Sequence, residues 1–239
     1  MQPSRTVRVV SLVPSVTESL LAWGIEPVAC TRFCEQPQLR HVGGTKDPDV
    51  AAIADLSPDI VVVDREENRR DDAEELARRG LRVVDLHVTS VESAEIETRR
   101  LATLVGAEFS PTKRVDLAPR RVTAFVPIWR RPWMTINAST YGASLLAALG
   151  VAASHADASS PYPEVATHDL PLLRDERGVG VVLLPTEPYA FTDRHIPEVV
   201  EATGISDVRI IDGRDLFWWG VRTAGARQRL AGVLADLLG

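Results

Sequence analysis

The sequence has few lysines, no long hydrophobic run and no excess of basic charge. Only two of its 27 basic residues are lysine, Lys46 and Lys113, and the net charge is −6. Proteins that bind nucleic acid through its phosphates need a basic face, so this balance argues against that class. The longest apolar runs, such as VGVVLLP at 179–185, are far shorter than the roughly 20 residues of a membrane-spanning helix.

The N-terminus lacks the pattern of a secretory leader. The segment MQPSRTVRVVSLVP enters a predicted strand within about six residues, too early for a charged segment, an apolar segment and a cleavage site. We therefore expect a cytoplasmic protein, or a periplasmic or other extracytoplasmic one if a leader has been removed. The two cysteines, Cys30 and Cys34, do not decide the compartment, because they could be free, bridged or ligating.

Short β-branched runs alternate with helical patterns along the chain. The runs predict strands at 7–13, 26–30, 59–64, 81–86, 121–128, 180–185 and 208–213. The intervening patterns predict helices at 15–23, 69–79, 90–106, 140–149, 194–203 and 223–238. This alternation predicts an α/β fold with mainly parallel sheets flanked by helices.

Two prolines divide the chain into two predicted lobes. Pro111 and Pro119 interrupt helical periodicity. We expect an N-terminal lobe at 1–106 with a connecting helix at about 90–106, a linker at 107–120 and a C-terminal lobe at 121–239. Ligands of parallel α/β sheets bind at the carboxyl ends of the strands, so two facing lobes would form a ligand cleft.

Aromatic residues cluster in the second half of the chain. Nine of the 13 lie between Trp129 and Trp219, mostly just beyond predicted strands. The segment IWRRPWM at 128–134 is the densest example. Core packing rarely concentrates rings in loops, so we expect several of them to line a binding surface. For Phe191 and Phe217, packing against the second lobe's core is an equally good interpretation.

Several segments resemble one family of binding proteins. They are RVVSLVPSVTESLLAWGIEPVAC, VGGTKDPDVAAIADLSPDIVVV and LARRGLRVV. The strand, the Pro-Ser turn, the Thr-Glu helix start and the Leu-x-Pro-Asp strand resemble, in order, the helical-backbone metal receptors, which are solute-binding proteins for cobalamin and ferric siderophores. The resemblance implies the class III periplasmic-binding-protein fold, with a metal chelate held between two lobes joined by a helix.

The resemblance also implies a set of ligand-binding residues in segments that follow predicted strands. The first lobe would contribute Arg32, Phe33, Cys34, Thr45, Lys46, Glu66, Glu67 and Asn68. The second lobe would contribute Trp129, Arg130, Trp133, Glu187, Tyr189, Trp218, Trp219 and Arg222. Indole faces suit a flat ligand, and guanidinium groups suit its carboxylates or phosphates. The expected ligand is a cobalamin, a ferric siderophore or a haem-like molecule; no separate cofactor and no protein metal ligand is expected.

The sequence departs from the family at its docking positions. Family members that deliver cargo to an ABC permease present one glutamate on each lobe. Ala51 and His168 stand at the matching positions here, although Asp49, Glu164 and Asp169 lie nearby. Together with the missing leader, this favours a cytoplasmic carrier or sensor, and the alternative is the binding component of an ABC importer.

Catalytic motifs are missing from the sequence. It has no G-x-S-x-G elbow, no P-loop and no strand followed by G-x-G-x-x-G, so we expect a protein that is not an enzyme. An enzyme that uses the Cys34 thiolate is the remaining alternative. Two residues have simple structural interpretations: His195 at the surface of a helix start, and the Glu66–Glu67 pair beside the N-terminus of the next helix.

Overall fold

The computed structural model describes residues 7–110 and 118–238, and they form two compact units. Of the described residues, the first unit comprises 7–88, 92–110 and Trp219–Arg222. The second comprises Thr89–Val91, 118–218 and 223–238. Part of the predicted linker, residues 111–117, lies outside the described residues. The ligand cleft between the lobes stays a prediction.

The first unit is built on a parallel four-stranded sheet. Its elements are β1 Val9–Ser11, α1 Pro14–Ala22, β2 Ala29–Cys30, α2 Val50–Asp55, β3 Ile60–Asp64, α3 Arg70–Arg78, β4 Val83–Leu86 and α4 Val91–Val105. The strand order is β2-β1-β3-β4. All five residues of β3 are buried, as expected for a central strand covered on both faces. Ser11 pairs with both Cys30 and Val62, so the carboxyl ends of β1, β2 and β3 meet at one edge.

The second unit has a parallel four-stranded sheet and a small antiparallel sheet. Its elements are β5 Val122–Phe125, β6 Trp129–Arg130, β7 Trp133–Met134, α5 Tyr141–Ala147, β8 Val151–Ala153, β9 Glu164–Val165, α6 Leu173–Arg177, β10 Val179–Pro185, α7 Ile196–Thr203, β11 Val208–Ile211, α8 Gly213–Phe217, α9 Thr223–Val233 and α10 Ala235–Leu238. The strand orders are β11-β10-β5-β8 and β6-β7-β9. Loops that follow β5, β10 and β11 therefore leave the large sheet at the same edge.

Local sequence signals explain several helix boundaries. Pro14 occupies the first turn of α1, where its missing N–H costs nothing. Thr140 caps α5 by accepting a hydrogen bond from the Ala143 amide. Gly178 and Gly204 adopt left-handed conformations just after α6 and α7, which ends both helices.

The predicted α/β class with parallel sheets is confirmed. One predicted helix, 223–238, is divided into α9 and α10. Leu230 and Leu234, four residues apart, are buried, whereas Val233 is exposed because it lies off that face. Among the described residues, no helix combines the length and apolar character needed to cross a bilayer.

Candidate ligand-binding loops

The segment IWRRPWM folds as a β-hairpin that separates its two tryptophans. In β6 and β7, Trp129 pairs with Met134 and Arg130 pairs with Trp133. Neighbouring residues of a strand point to opposite faces, so Trp129 and Trp133 lie on opposite faces of the hairpin. One indole can therefore be buried while the other remains accessible.

Trp133 is a core residue of the second unit. Its side chain is 7% exposed. It stacks on Phe191, with ring centroids 6.5 Å apart and an interplanar angle of 11°, and it also contacts Phe125. The prediction that Trp133 lines a ligand wall is therefore wrong, because its face of the hairpin is turned to the interior. For Phe191, which is also buried, packing against the core is the correct interpretation.

The ring of Trp129 is accessible and packs against Tyr189. Its side chain is 44% exposed, and it meets the edge of Tyr189 at a centroid distance of 5.4 Å. Tyr189 follows β10 and packs in turn on Phe191 and His195. His195 does stand at a helix start, where it forms a capping box with Thr192, but it is buried there and not at the surface.

Glu187, on the same loop as Tyr189, is closely packed against α8. A Cβ atom added at Gly213 would lie 2.5 Å from the Glu187 Cγ and equally close to its backbone nitrogen. The Gly213 amide also donates a hydrogen bond to the Thr186 hydroxyl. The glycine thus allows the β10 loop and the start of α8 to touch.

The three arginines expected to meet ligand anions have carboxylate partners within the protein. Arg32 contacts Asp47 at 3.0 Å. Arg130 pairs with Glu198 of α7. The Arg222 guanidinium holds both oxygens of Glu18. The guanidinium groups of these arginines are therefore already paired and are not available as such to bind an anionic ligand.

The segment Trp218–Arg222 does not stay with one unit. Trp218 belongs to the second unit, where the Arg214 guanidinium lies 5.9 Å from its ring centre. Trp219 and Arg222, expected on the second lobe, belong to the first unit. The reason is a set of bonds to α1: the Trp219 amide donates to Ser15 Oγ, the Val221 amide donates to Ser19 Oγ, and Arg222 pairs with Glu18. The Trp219 ring is also buried.

The loop after β2 carries an exposed ring in the first unit. Phe33 lies in the 3-10 turn Arg32–Cys34 and is 50% exposed. The Arg32 guanidinium lies 4.8 Å from its ring centre. The Arg32 amide donates to the Gly43 carbonyl, which fixes the turn against the following loop.

Asn68 ties together three loops at the carboxyl edge of the first sheet. Its side-chain amide donates to the carbonyls of Leu12 and Thr45, and its oxygen accepts from the Asp64 amide. The Lys46 ammonium donates to the carbonyl of Glu66. Thr45, Lys46, Glu66 and Asn68 therefore do come together, as the sequence predicts.

The Glu66–Glu67 pair does not lie in the first turn of the next helix. Helix α3 begins at Arg70, and the acids of its first turn are Asp71 and Asp72. Glu66 instead approaches His87, with 3.7 Å between the carboxylate and Nε2. The helix-dipole interpretation of this pair is therefore wrong.

Asp64 is a buried carboxyl group that sequence reasoning missed. It is the last residue of β3, and it accepts hydrogen bonds from the amides of Glu66 and Val88. Burial raises the pKa of Asp64 to about 7, although those two amides oppose the shift. An acidic residue that ends a continuous apolar strand, as in DIVVVD, was the available signal.

Comparisons with known proteins agree with this fold. A family model described as periplasmic binding protein matches residues 9–110. The vitamin B12-binding protein of Salmonella paratyphi A is 24% identical over 176 residues, and the alignment covers 66% of each chain, just under two thirds. The solved structure of the periplasmic vitamin B12 binding protein BtuF of Vibrio cholerae has a TM-score of 0.75 at 16% identity and covers 97% of this chain and 98% of its own.

A second solved structure with the same TM-score of 0.75 is the periplasmic heme-binding protein RhuT from Roseiflexus sp. RS-1. It is 15% identical, and the match covers 98% of this chain and 100% of that one. The family model thus matches residues 9–110, and the solved structures share the fold over nearly the whole chain. The family resemblance predicted from the sequence is thereby confirmed.

The two cysteines of this chain are free, and both are buried. Cys34 is only 1% exposed, which does not suit a nucleophile that must reach a substrate. Its placement on an accessible ligand wall is wrong for the same reason. The named relatives are binding proteins.

The described part of this chain contains no group of three or more His, Cys, Asp or Glu side chains that could hold a metal ion. Ala51 lies exposed in the first turn of α2, and His168 lies exposed beside Asp169. Their role in docking stays a prediction.

Proposed function

We propose that the chain binds a metal chelate, such as a cobalamin, a ferric siderophore or a haem-like tetrapyrrole, without converting it chemically. One observation carries this proposal. Among the large apolar side chains that the described residues expose, the two aromatic ones are Phe33 and Trp129. Each lies in the segment that follows the carboxyl end of a parallel-sheet strand, β2 for Phe33 and β5 for Trp129, which is where α/β proteins bind ligands.

The side chains that pack against these two rings favour a role for the rings in ligand binding. Trp129 rests on Tyr189, and Phe33 is covered on one side by the Arg32 guanidinium. An aromatic ring that is ordered before the ligand arrives loses little conformational entropy on binding. Planar apolar ligands gain most from such faces, because stacking adds to the burial of area.

The charges near the loops suggest how a polar edge of the ligand would be met. Arg32, Arg130 and Arg222 are paired internally. Lys46 is exposed and has no carboxylate partner within residues 7–110 and 118–238. We infer that a carboxylate or phosphate of the ligand contacts Lys46, while the ring of Phe33, in the same unit, contacts its face.

The relatives support this ligand class. One is named for vitamin B12 and another for heme, and both molecules hold a metal ion in a macrocycle. They share the fold with this chain at identities of 24% or less, so the individual macrocycle is open to test.

Two cellular roles fit such a binding protein. Ala51 and His168, at the positions where importer components carry docking glutamates, favour a cytoplasmic carrier or sensor. The periplasmic relatives favour the binding component of an ABC importer. Fractionation of the native host distinguishes them: recovery in the cytosol supports the carrier, and recovery outside the cytoplasmic membrane supports the importer component.

The ligand class is tested by purifying the protein from its native host. We expect a co-purifying absorption band in the visible region and one equivalent of iron or cobalt by elemental analysis. A corrin, a porphyrin and a ferric catecholate have different spectra, so the same sample assigns the class. Protein that is saturable by none of the three and carries no chelate would contradict the proposal.

Removing the exposed indole is expected to weaken binding without unfolding the protein. Trp129→Ala should cost about 1 to 3 kcal/mol of binding free energy, as central aromatic contacts do. The matched control is Leu172→Ala, since Leu172 is 40% exposed in the same unit but lies in the 3-10 turn Thr167–Leu172, which follows a strand of the small antiparallel sheet and not of the parallel sheet. Titration calorimetry with hemin and cyanocobalamin measures the affinity of each variant. Equal affinities of Trp129→Ala and Leu172→Ala for a ligand would show that Trp129 does not contact it.

A further inference from the structure

Two buried thiols face each other at the edge of the first unit's sheet. Cys30 ends β2, and Cys34 ends the 3-10 turn that follows. Neither is bridged, and with Leu39 they form one buried cluster. They are the only cysteines of the chain. This isolated dithiol has no part in the ligand contacts described above.

Polar groups converge on the sulfur of Cys34. The hydroxyl oxygens of Thr17 and Thr31 lie 3.2 Å and 3.3 Å from Sγ. Hydrogen bonds from Cys30 and from these hydroxyls lower the pKa of Cys34 to about 6, against the opposing effect of burial, whereas the pKa of Cys30 is raised. The pair thus combines one thiolate with one protonated thiol, which is the combination that oxidation to a disulfide requires.

We propose that Cys30 and Cys34 are an oxidation site that peroxides convert into an intramolecular disulfide. The Cys34 thiolate attacks one oxygen of hydrogen peroxide; an S–O bond forms, the O–O bond breaks and hydroxide leaves. The Cys30 thiol then attacks the Cys34 sulfenic sulfur; the S–S bond forms, the S–O bond breaks and water leaves with the Cys30 proton. In total, two thiols and one peroxide give one disulfide and two waters.

The disulfide would act on the turn that carries Phe33. Only Thr31, Arg32 and Phe33 lie between the two cysteines. Oxidation removes the sulfur anion beside the hydroxyls of Thr17 and Thr31 and ties both ends of the turn together. The resulting change in chelate affinity rests on the proposed function, whereas disulfide formation itself does not.

Burial sets which reagents reach the pair. Hydrogen peroxide is little larger than water, so small local openings of the loop admit it. A bulkier alkylating reagent needs a wider opening. We therefore expect native alkylation of Cys34 to be slow even though its sulfur is ionised, and fast in denaturant.

Intact mass spectrometry of the folded, reduced full chain tests the proposal. After hydrogen peroxide we expect the loss of two hydrogen atoms, no thiol that can be alkylated after unfolding, and full recovery with a thiol reductant. Cys30→Ser is expected to gain one oxygen at Cys34, trapped by dimedone, with no internal disulfide. Hydrogen exchange of residues 31–43 should differ between the reduced and oxidised wild type.

Three results would overturn the proposal: a wild-type mass that does not change, oxygen gained without loss of hydrogen, or disulfide-linked dimers. The wild-type reading does not depend on how well the serine variant folds. It also needs no ligand. A protein that binds no chelate but forms the disulfide contradicts the proposed function alone, and the reverse result contradicts the oxidation site alone.

Discussion

Trp133→Ala is expected to lower the free energy of unfolding by about 3 to 5 kcal/mol, the usual cost of removing a large buried aromatic ring. The indole is enclosed by Phe125, Phe191 and Val165 in the core of the second unit. Its removal leaves a cavity between the small antiparallel sheet and the loop after β10. Urea denaturation followed by circular dichroism measures the change, since the signal does not depend on the mutated fluorophore.

Trp129→Ala is the matched control, because it removes the same side chain four residues away. Trp129 is half-exposed and makes one edge contact with Tyr189, so its loss should change the unfolding free energy by less than about 1 kcal/mol. Equal destabilisation by the two substitutions would contradict the division of the hairpin into a buried face and an accessible face.

Acidic solution is expected to stabilise the protein through Asp64. Its pKa is raised to about 7 in the folded state, from 3.8 for an ordinary aspartate. Between these values the folded state holds a proton that the unfolded state has released, so the contribution is fully present below about pH 4 and lost as the pH rises through 7. The loss amounts to about 1.4 kcal/mol per pH unit, or roughly 4 kcal/mol in all.

Other groups titrate in the same range, so the prediction concerns the difference between wild type and Asp64→Asn. The variant should lack the Asp64 slope in urea denaturation between pH 4.5 and pH 7, a window of about two and a half units. Asp55→Asn, at the exposed end of α2, should keep the wild-type slope. If the unfolding free energies of all three proteins depend on pH in the same way, the pKa of Asp64 is not raised in the folded state and the prediction is wrong.

The sequence predicts the fold well because its signals are local. Strand β3 is a continuous apolar run that ends in Asp64, and α4 has a clear helical period over Val91–Val105. The hairpin Trp129–Met134 has no such signal, since each of its strands has only two residues. Its register decides which indole is buried, and that register depends on pairing with β9.

The candidate site was less predictable, because the wrong predictions concern residues whose partners are far away in the sequence. Arg130 and Glu198 are 68 residues apart, and Arg222 and Glu18 are 204 apart. No pattern within one segment reveals such pairs. Residue types at the ends of strands did identify the loops with Phe33, Lys46 and Trp129, because parallel strands bring those ends to one edge of each sheet.

The most direct test of the account is a fluorescence titration of the wild-type protein with hemin, cyanocobalamin and a ferric catecholate siderophore. Binding at the exposed indole should quench tryptophan emission saturably for at least one of them, with one ligand per chain and micromolar or tighter affinity. Trp129→Ala should lose most of that quenching. If all three leave the emission unchanged apart from inner-filter absorption, the central claim that this chain binds a metal chelate is contradicted.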